Sequence, residues 1–154
     1  MNLEVKEIIK ELKRVYNGSP WLGNSIKSVL EGIDEKTAFK QALPNVNTIA
    51  SLVSHMIGWR LLLLKRLEGD ENHAVKQKQT FDFSGYGEEP QIIWDSLILE
   101  LESNQNRIIN LLEQKEDLFL KEKVANKRFT YKHLINGIIQ HDIYHMGQIA
   151  ILKK

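Results

Sequence analysis

Apolar residues recur every three or four positions through most of the chain, a period that admits helices and little else. In the first segment Leu3, Ile8, Leu12 and Val15 keep it until Asn17-Gly18 stops the run. Ser19 then offers an N-cap and Pro20 a first helical residue, so the pattern restarts and continues through Trp21, Ile26, Val29 and Leu30 to Gly32. This predicts one long helix broken once, or two stacked end to end. Asp34 caps one further turn over Thr37-Ala38-Phe39 before Pro44.

Asn45, Asn47 and Thr48 are alternative caps for a long helix reaching about Glu68, with Ile49, Leu52, Val53, Met56, Leu63, Leu64 and Leu67 on its apolar face. Residues 68–89 are polar, carry glycines and the aromatics Phe81, Phe83 and Tyr86, and sustain no period. A connection this long bridges distant helix ends or carries function. Pro90 opens the next helix, with Ile92, Ile93, Leu97, Leu101, Ile108 and Leu112 along one side. Residues 117–129 read as extended, but the alternation at 118–121 is too short for a strand. Thr130 caps a last helix through Leu152. Four amphipathic helices without a sheet predict an all-α, up-down four-helix bundle with one long crossover connection. No repeat or linker divides the 154 residues, so a single domain over 1–154 is expected.

Composition removes several functions. Twenty-one Lys and Arg against 20 Asp and Glu give a formal charge of +1, too small a field to point at nucleic acid or an anionic membrane. The basic cluster at 121–128 contains Glu122 and no stacking aromatics, and reads as a solvated loop. The expectation is therefore no nucleic-acid partner and no membrane. The N-terminus is charged, without an apolar leader, and the leucine run 61–64 is far too short to span a bilayer; a cytoplasmic protein is expected. There is no cysteine. The chain has no disulfide and no thiol nucleophile of its own, and a metal would be held by imidazole, carboxylate or water.

Chemistry concentrates in the histidines. His141 and His145, one helical turn apart, place their rings about 40° apart in azimuth and about 6 Å apart along the axis. That spacing lets both converge on one ion at about 2.0–2.1 Å. Both fall in the stripe of Leu134, Ile138, Ile149 and Leu152, so the pair should face inward, where two ionisable rings are costly to leave unpaired. The plainer reading is one core histidine bonded to a carbonyl and one exposed. The segment lacks the Glu of H-E-x-x-H, which excludes a zinc protease with that general base. His55, on the second long helix, lies on a flank shared with Trp59 and Leu62, and antiparallel packing can bring it level with the pair as a third ligand. His133 is about 80° off the pair on the helical wheel and His73 sits in the long connection; both are expected in solvent, though His73 can close over a site.

The run Gln140-His141-Asp142-Ile143-Tyr144-His145-Met146-Gly147-Gln148-Ile149 resembles the C-terminal motif of the DinB-like metal-binding family. Ser54-His55 with Trp59-Arg60, and Tyr16-Asn17-Gly18-Ser19-Pro20-Trp21, resemble its other motifs. The resemblance implies a four-helix bundle binding a divalent ion, zinc or nickel, through His55, His141 and His145. It further implies a homodimer and an ion that activates a low-molecular-weight thiol toward an electrophilic small molecule, as in bacillithiol transferases and mycothiol-dependent isomerases. Where some relatives have Trp-His-Gly, this chain has Trp21-Leu22-Gly23, so any role of that histidine is absent.

Three functions follow for comparison: a metal-dependent thiol S-transferase, a non-catalytic metal- or ligand-binding module, and a metal-free bundle acting through partners. A bound hydroxide serving a hydrolase is a further use of the same ion. Asp142 can fix the tautomer of a ligating ring, for instance that of His55, or form an interhelical salt bridge. Tyr144 and Gln148 can line the mouth of the site, and Trp59 is expected to pack in the core or an interface.

Overall fold

In the structure, a computed structural model, residues 2–75 and 89–154 are described. Among them lie six α-helices and no strand: α1 (Leu3–Asn17), α2 (Ile26–Leu30), α3 (Glu35–Ala38), α4 (Ile49–Leu67), α5 (Pro90–Glu113) and α6 (Tyr131–Leu152). The middle of the expected crossover, with Phe81, Phe83 and Tyr86, lies outside the described residues.

The long helices start where a side chain can satisfy their first amide groups. Thr48 accepts from the Ser51 amide at 3.1 Å and Thr130 from that of His133 at 3.3 Å, so of the three caps offered for α4 the chain uses Thr48. The first amides of α1 are met across the bundle: Asp117 accepts from Leu3 and Val5, each at 2.9 Å. These backbone bonds hold its carboxyl below the usual carboxylate range. At the other end of α1 the Gly18 amide returns to the Arg14 carbonyl at 3.0 Å. A Cβ on Gly18 would lie 2.8 Å from the Arg14 Cα, so only glycine fits this exit.

The second segment differs from both expected forms. Residues 19–25 make a turn, closed by the Gly23 amide on the Pro20 carbonyl at 3.0 Å, and Trp21 stands fully in solvent. Gly23 takes φ +105°, which no right-handed helix tolerates, and the reciprocal Ser25–Ser28 capping box starts α2 six residues later than Ser19 does. Ile92 is likewise exposed, its place on the inner face of α5 taken by Ile93 and Trp94. Residues 117–121 form a 3₁₀ turn, followed by an isolated antiparallel bridge between Lys123 and Thr130.

Cross-helix contacts fix direction. Arg60 of α4 and Glu68 at its C-cap meet Gln105 and Arg107 of α5 in the same order, so these two helices run parallel. His55 meets His141, while the Tyr131 hydroxyl donates to the Arg66 carbonyl at 3.1 Å, so α4 and α6 are antiparallel. Consequently the connection after α4 must return the length of that helix, about 28 Å for its 19 residues. The core comes from all four long helices, with Leu12, Met56, Leu63, Leu64, Leu101, Ile108, Leu112, Ile135 and Ile149 at 2% exposure or less.

Truncating Leu64, fully buried in α4, to Ala should cost about 2–5 kcal/mol in urea denaturation; a cost under about 1 kcal/mol would mean that this face of α4 is not packed as described.

Candidate metal centre

His141 and His145 stand one turn apart on α6, and the antiparallel course of α4 brings His55 against them. The His141 Nε2 lies 3.0 Å from the Nε2 of His55 and 3.0 Å from that of His145. The three rings sit with centroids 4.3–4.9 Å apart, and one ring nitrogen from each lies within 4.8 Å of the other two. His145 is buried; the other two are half-buried.

Proton bookkeeping at these nitrogens is informative. The Nδ1 of His145 donates to Gln148 Oε1 at 2.5 Å, which leaves a lone pair on its Nε2. A proton on the His141 Nε2 can satisfy only one of its two neighbours, and it would leave the Nδ1 of that ring a buried acceptor without a partner. Burial lowers the His55 pKa, helped by His145. Burial first, then the charges of His145, His55 and Arg60, push His141 down to about 4. Burial thus favours neutral His55 and His141, and the bond to Gln148 leaves the His145 Nε2 lone pair facing the same point. Nitrogens sharing one tetrahedral ion at about 2.0–2.1 Å lie roughly 3.3 Å apart, close to the spacing found, so the donor set fits a borderline cation.

Beside the rings runs a buried polar chain. Arg60 and Asp142 are each 1% exposed. Two guanidinium nitrogens of Arg60 bond the same oxygen, Asp142 Oδ2, at 2.7 and 3.0 Å. Burial raises the Asp142 carboxyl above its ordinary value, and the charge and hydrogen bonds of Arg60 oppose that rise. A third Arg60 nitrogen donates to Gln105 Oε1 at 2.6 Å, and the Gln105 amide donates to the Leu12 carbonyl at 3.1 Å. The guanidinium also lies over the Tyr16 ring, 5.5 Å from its centroid.

Of the two roles considered for Asp142, it takes the interhelical salt bridge and orients no imidazole. Gln148 holds the His145 ring instead. Tyr144 is exposed, its ring edge-on to His145 at 5.0 Å. Trp59 is half-buried with its ring 5.5 Å from that of His141. His133 is exposed as expected, against Phe129; His73 is half-buried, its carbonyl held by Arg66 at 2.7 Å. Spacing alone does not single out Arg60 and Gln105 as buried partners. The signal was there: Arg60 falls between Met56 and Leu63, and Asp142 between Ile138 and Met146, so opposite charges sit inside two apolar stripes. A cavity of about 840 Å³ between α1, α2 and α5 shares none of the three histidines.

Comparison with known proteins adds two findings. A family model described as DinB superfamily matches residues 23–149. A crystal structure of the colibactin self-resistance protein ClbS in complex with a dsDNA superposes with a TM-score of 0.65 at 20% identity, over 94% of this chain and 92% of that one. No curated protein matches the chain. The ClbS structure corrects the expectation that nucleic acid is excluded as a partner: a bundle of this fold has been captured on DNA. Net charge sums the whole surface and is silent about a local basic patch, and Lys121, Lys123, Lys127 and Arg128 are all exposed.

Replacing Arg60 with Met leaves Asp142 buried and unpaired and should cost about 3–5 kcal/mol in chemical denaturation, most of it recovered when Asp142→Leu is added; equal losses in the single and double variants would contradict this. In metal-free protein, His141 should remain neutral at pH 5.5 by NMR, because its pKa of about 4 lies below the ordinary 6.5. The unfolded chain takes up that proton first, so this contribution to stability is lost as pH falls from 6.5 toward 4. A midpoint near 6.5 would contradict the neutral, lone-pair state.

Proposed function

This chain belongs to the DinB superfamily, and on that premise we propose that it holds a divalent cation, Zn²⁺ or Ni²⁺, on His55, His141 and His145 and transfers a low-molecular-weight thiol to an electrophilic small molecule. The observation carrying the proposal is the convergence of three imidazole nitrogens from two helices on one point. Imidazole donors suit both metals, and three protein ligands leave a coordination position for a substrate.

When bound, such a cation supplies Lewis acidity that favours thiolate over thiol near neutral pH. The chain's own residues supply the rest. Gln148 fixes the tautomer of His145 so that its Nε2 faces the centre. Arg60 and Asp142 hold α4 and α6 in the register that keeps His55 opposite the α6 pair. With no cysteine in the sequence, the nucleophilic sulfur comes from the substrate. Sulfur bonds to the electrophilic carbon, the leaving group departs with its electron pair, and the thiol proton passes to solvent.

A second reading has its own observation, the ClbS structure with dsDNA. Here the exposed basic residues of the 121–128 loop would meet phosphate. Binding of a labelled duplex that weakens steeply with salt, and further in Lys123→Glu, supports it; no binding at low salt rejects it.

For the primary reading, metal-stripped protein should take up one Zn²⁺ per chain in competition with a chromophoric chelator. Loaded protein should then accelerate the reaction of a small thiol with monobromobimane. His145→Ala should lose both, with uptake weakened on the order of 100-fold. Uptake without acceleration would leave a metal-binding module, and rates unchanged in His145→Ala would reject the transferase.

A further inference from the structure

A groove follows the seam of α4 and α6 away from the three histidines. Its two cavities, about 260 and 420 Å³, run into each other because Trp59, Phe129 and Leu134 line both. The first is lined by His141, and the second by Arg66 and Lys127. From His55 to Arg66 the helix rises 11 residues, about 16 Å, which bounds the length of anything lying between the rings and the far end.

Two features of this groove set it apart. The first is Arg66, only 7% exposed. Its guanidinium donates to the carbonyls of Asp70 at 2.5 Å and His73 at 2.7 Å, both neutral. Among the described residues it has no carboxylate partner, whereas the other buried arginine, Arg60, has Asp142. A buried cation without a counter-charge is costly. Among the described residues, the titratable side chains lining the groove are His73, His133, His141, Arg66 and Lys127, with no carboxylate among them. The second feature is Gly137, inside α6, where glycine is a poor helix former. A Cβ there would meet nothing within 4 Å, so no close approach calls for glycine, and the missing side chain leaves the groove open beside Ile138 and His141.

We propose that this groove binds an apolar monoanion, an alkyl or aryl carboxylate, with its charge at Arg66 and Lys127 and its body over Trp59, Phe129 and Leu134. Resting on the function proposed above, this makes the electrophilic substrate an organic acid whose reacting carbon lies at the end remote from the carboxylate, against His141.

The test uses decanoate as the probe, with decylammonium as the charge control, in calorimetric titrations of the metal-stripped 154-residue chain. Decanoate should bind one per chain and at least tenfold more tightly than decylammonium. Lys127→Glu, an exposed change, should weaken decanoate about tenfold. Gly137→Leu should melt no lower than the parent and lose decanoate binding, because its side chain fills the open wall. The proposal is overturned if decanoate does not bind at millimolar concentration, if decylammonium binds as well, or if a folded Gly137→Leu variant binds decanoate unchanged. Because no metal is present in the titration, the two readings fail separately. Zinc uptake and thiol transfer without decanoate binding refute the groove alone, and decanoate binding without zinc uptake refutes the metal centre alone.

Discussion

Two opposite charges sealed between α4 and α6 set the terms for everything around them. Arg60 and Asp142 cannot be drawn apart without leaving an ion in the core, and sliding either helix by one turn would do that. Asp142 follows His141 directly in sequence and precedes His145 by three residues; Arg60 lies five beyond His55. The pair therefore also registers the three imidazoles. Its reach is wider still, because Gln105 carries the hydrogen bonding to the Leu12 carbonyl and Tyr16 offers its ring face to the guanidinium. One buried polar chain thus ties together all four long helices. Apolar packing alone, being non-directional, would hold them with less specific register.

What this register produces is a cluster that is poorly satisfied by protein groups. Burial favours the neutral form of His55 and His141, Gln148 aims the His145 lone pair inward, and the nitrogen of His141 faces two neighbours with at most one proton to share. Its other nitrogen is buried without a partner. Polar groups left in such a state inside a bundle otherwise packed with Leu and Ile are the kind found where a ligand completes the structure. Membership of the DinB superfamily and the fold shared with ClbS agree with the architecture; the chemistry is argued from the rings.

Much of the fold could be read from the chain because its signals are local. Periodicity locates the four long helices, Thr130 marks the start of the last, Asp34 marks the short turn of α3, Thr48 is one of three caps on offer for α4, and the long unperiodic connection announces a crossover. Reading failed where two local signals competed. Ser19-Pro20 and Ser25–Ser28 both promise a helix start, and the left-handed Gly23 between them, not evident from residue type alone, decides for the second. Ile92 reads as inward because its period is ambiguous with that of Ile93 and Trp94. At the site, spacing brought His141 and His145 together, while the arrival of His55 depends on two helices 86 residues apart in the chain. The partner of Asp142 was hidden for the same reason: a charge inside an apolar stripe implies a counter-charge, but only the packed bundle shows which one. Net charge misleads most, because a near-neutral total is silent about a local basic patch and so does not exclude nucleic acid.

The claim at the centre is that three imidazoles, one from α4 and two from α6, share a single cation. X-ray absorption at the zinc edge, on protein loaded with one equivalent, reads that shell directly. The account predicts a low-coordinate first shell at about 2.0–2.1 Å with outer-shell scattering from three imidazole rings. A six-coordinate shell of oxygens, or scattering from no more than one ring, would contradict it.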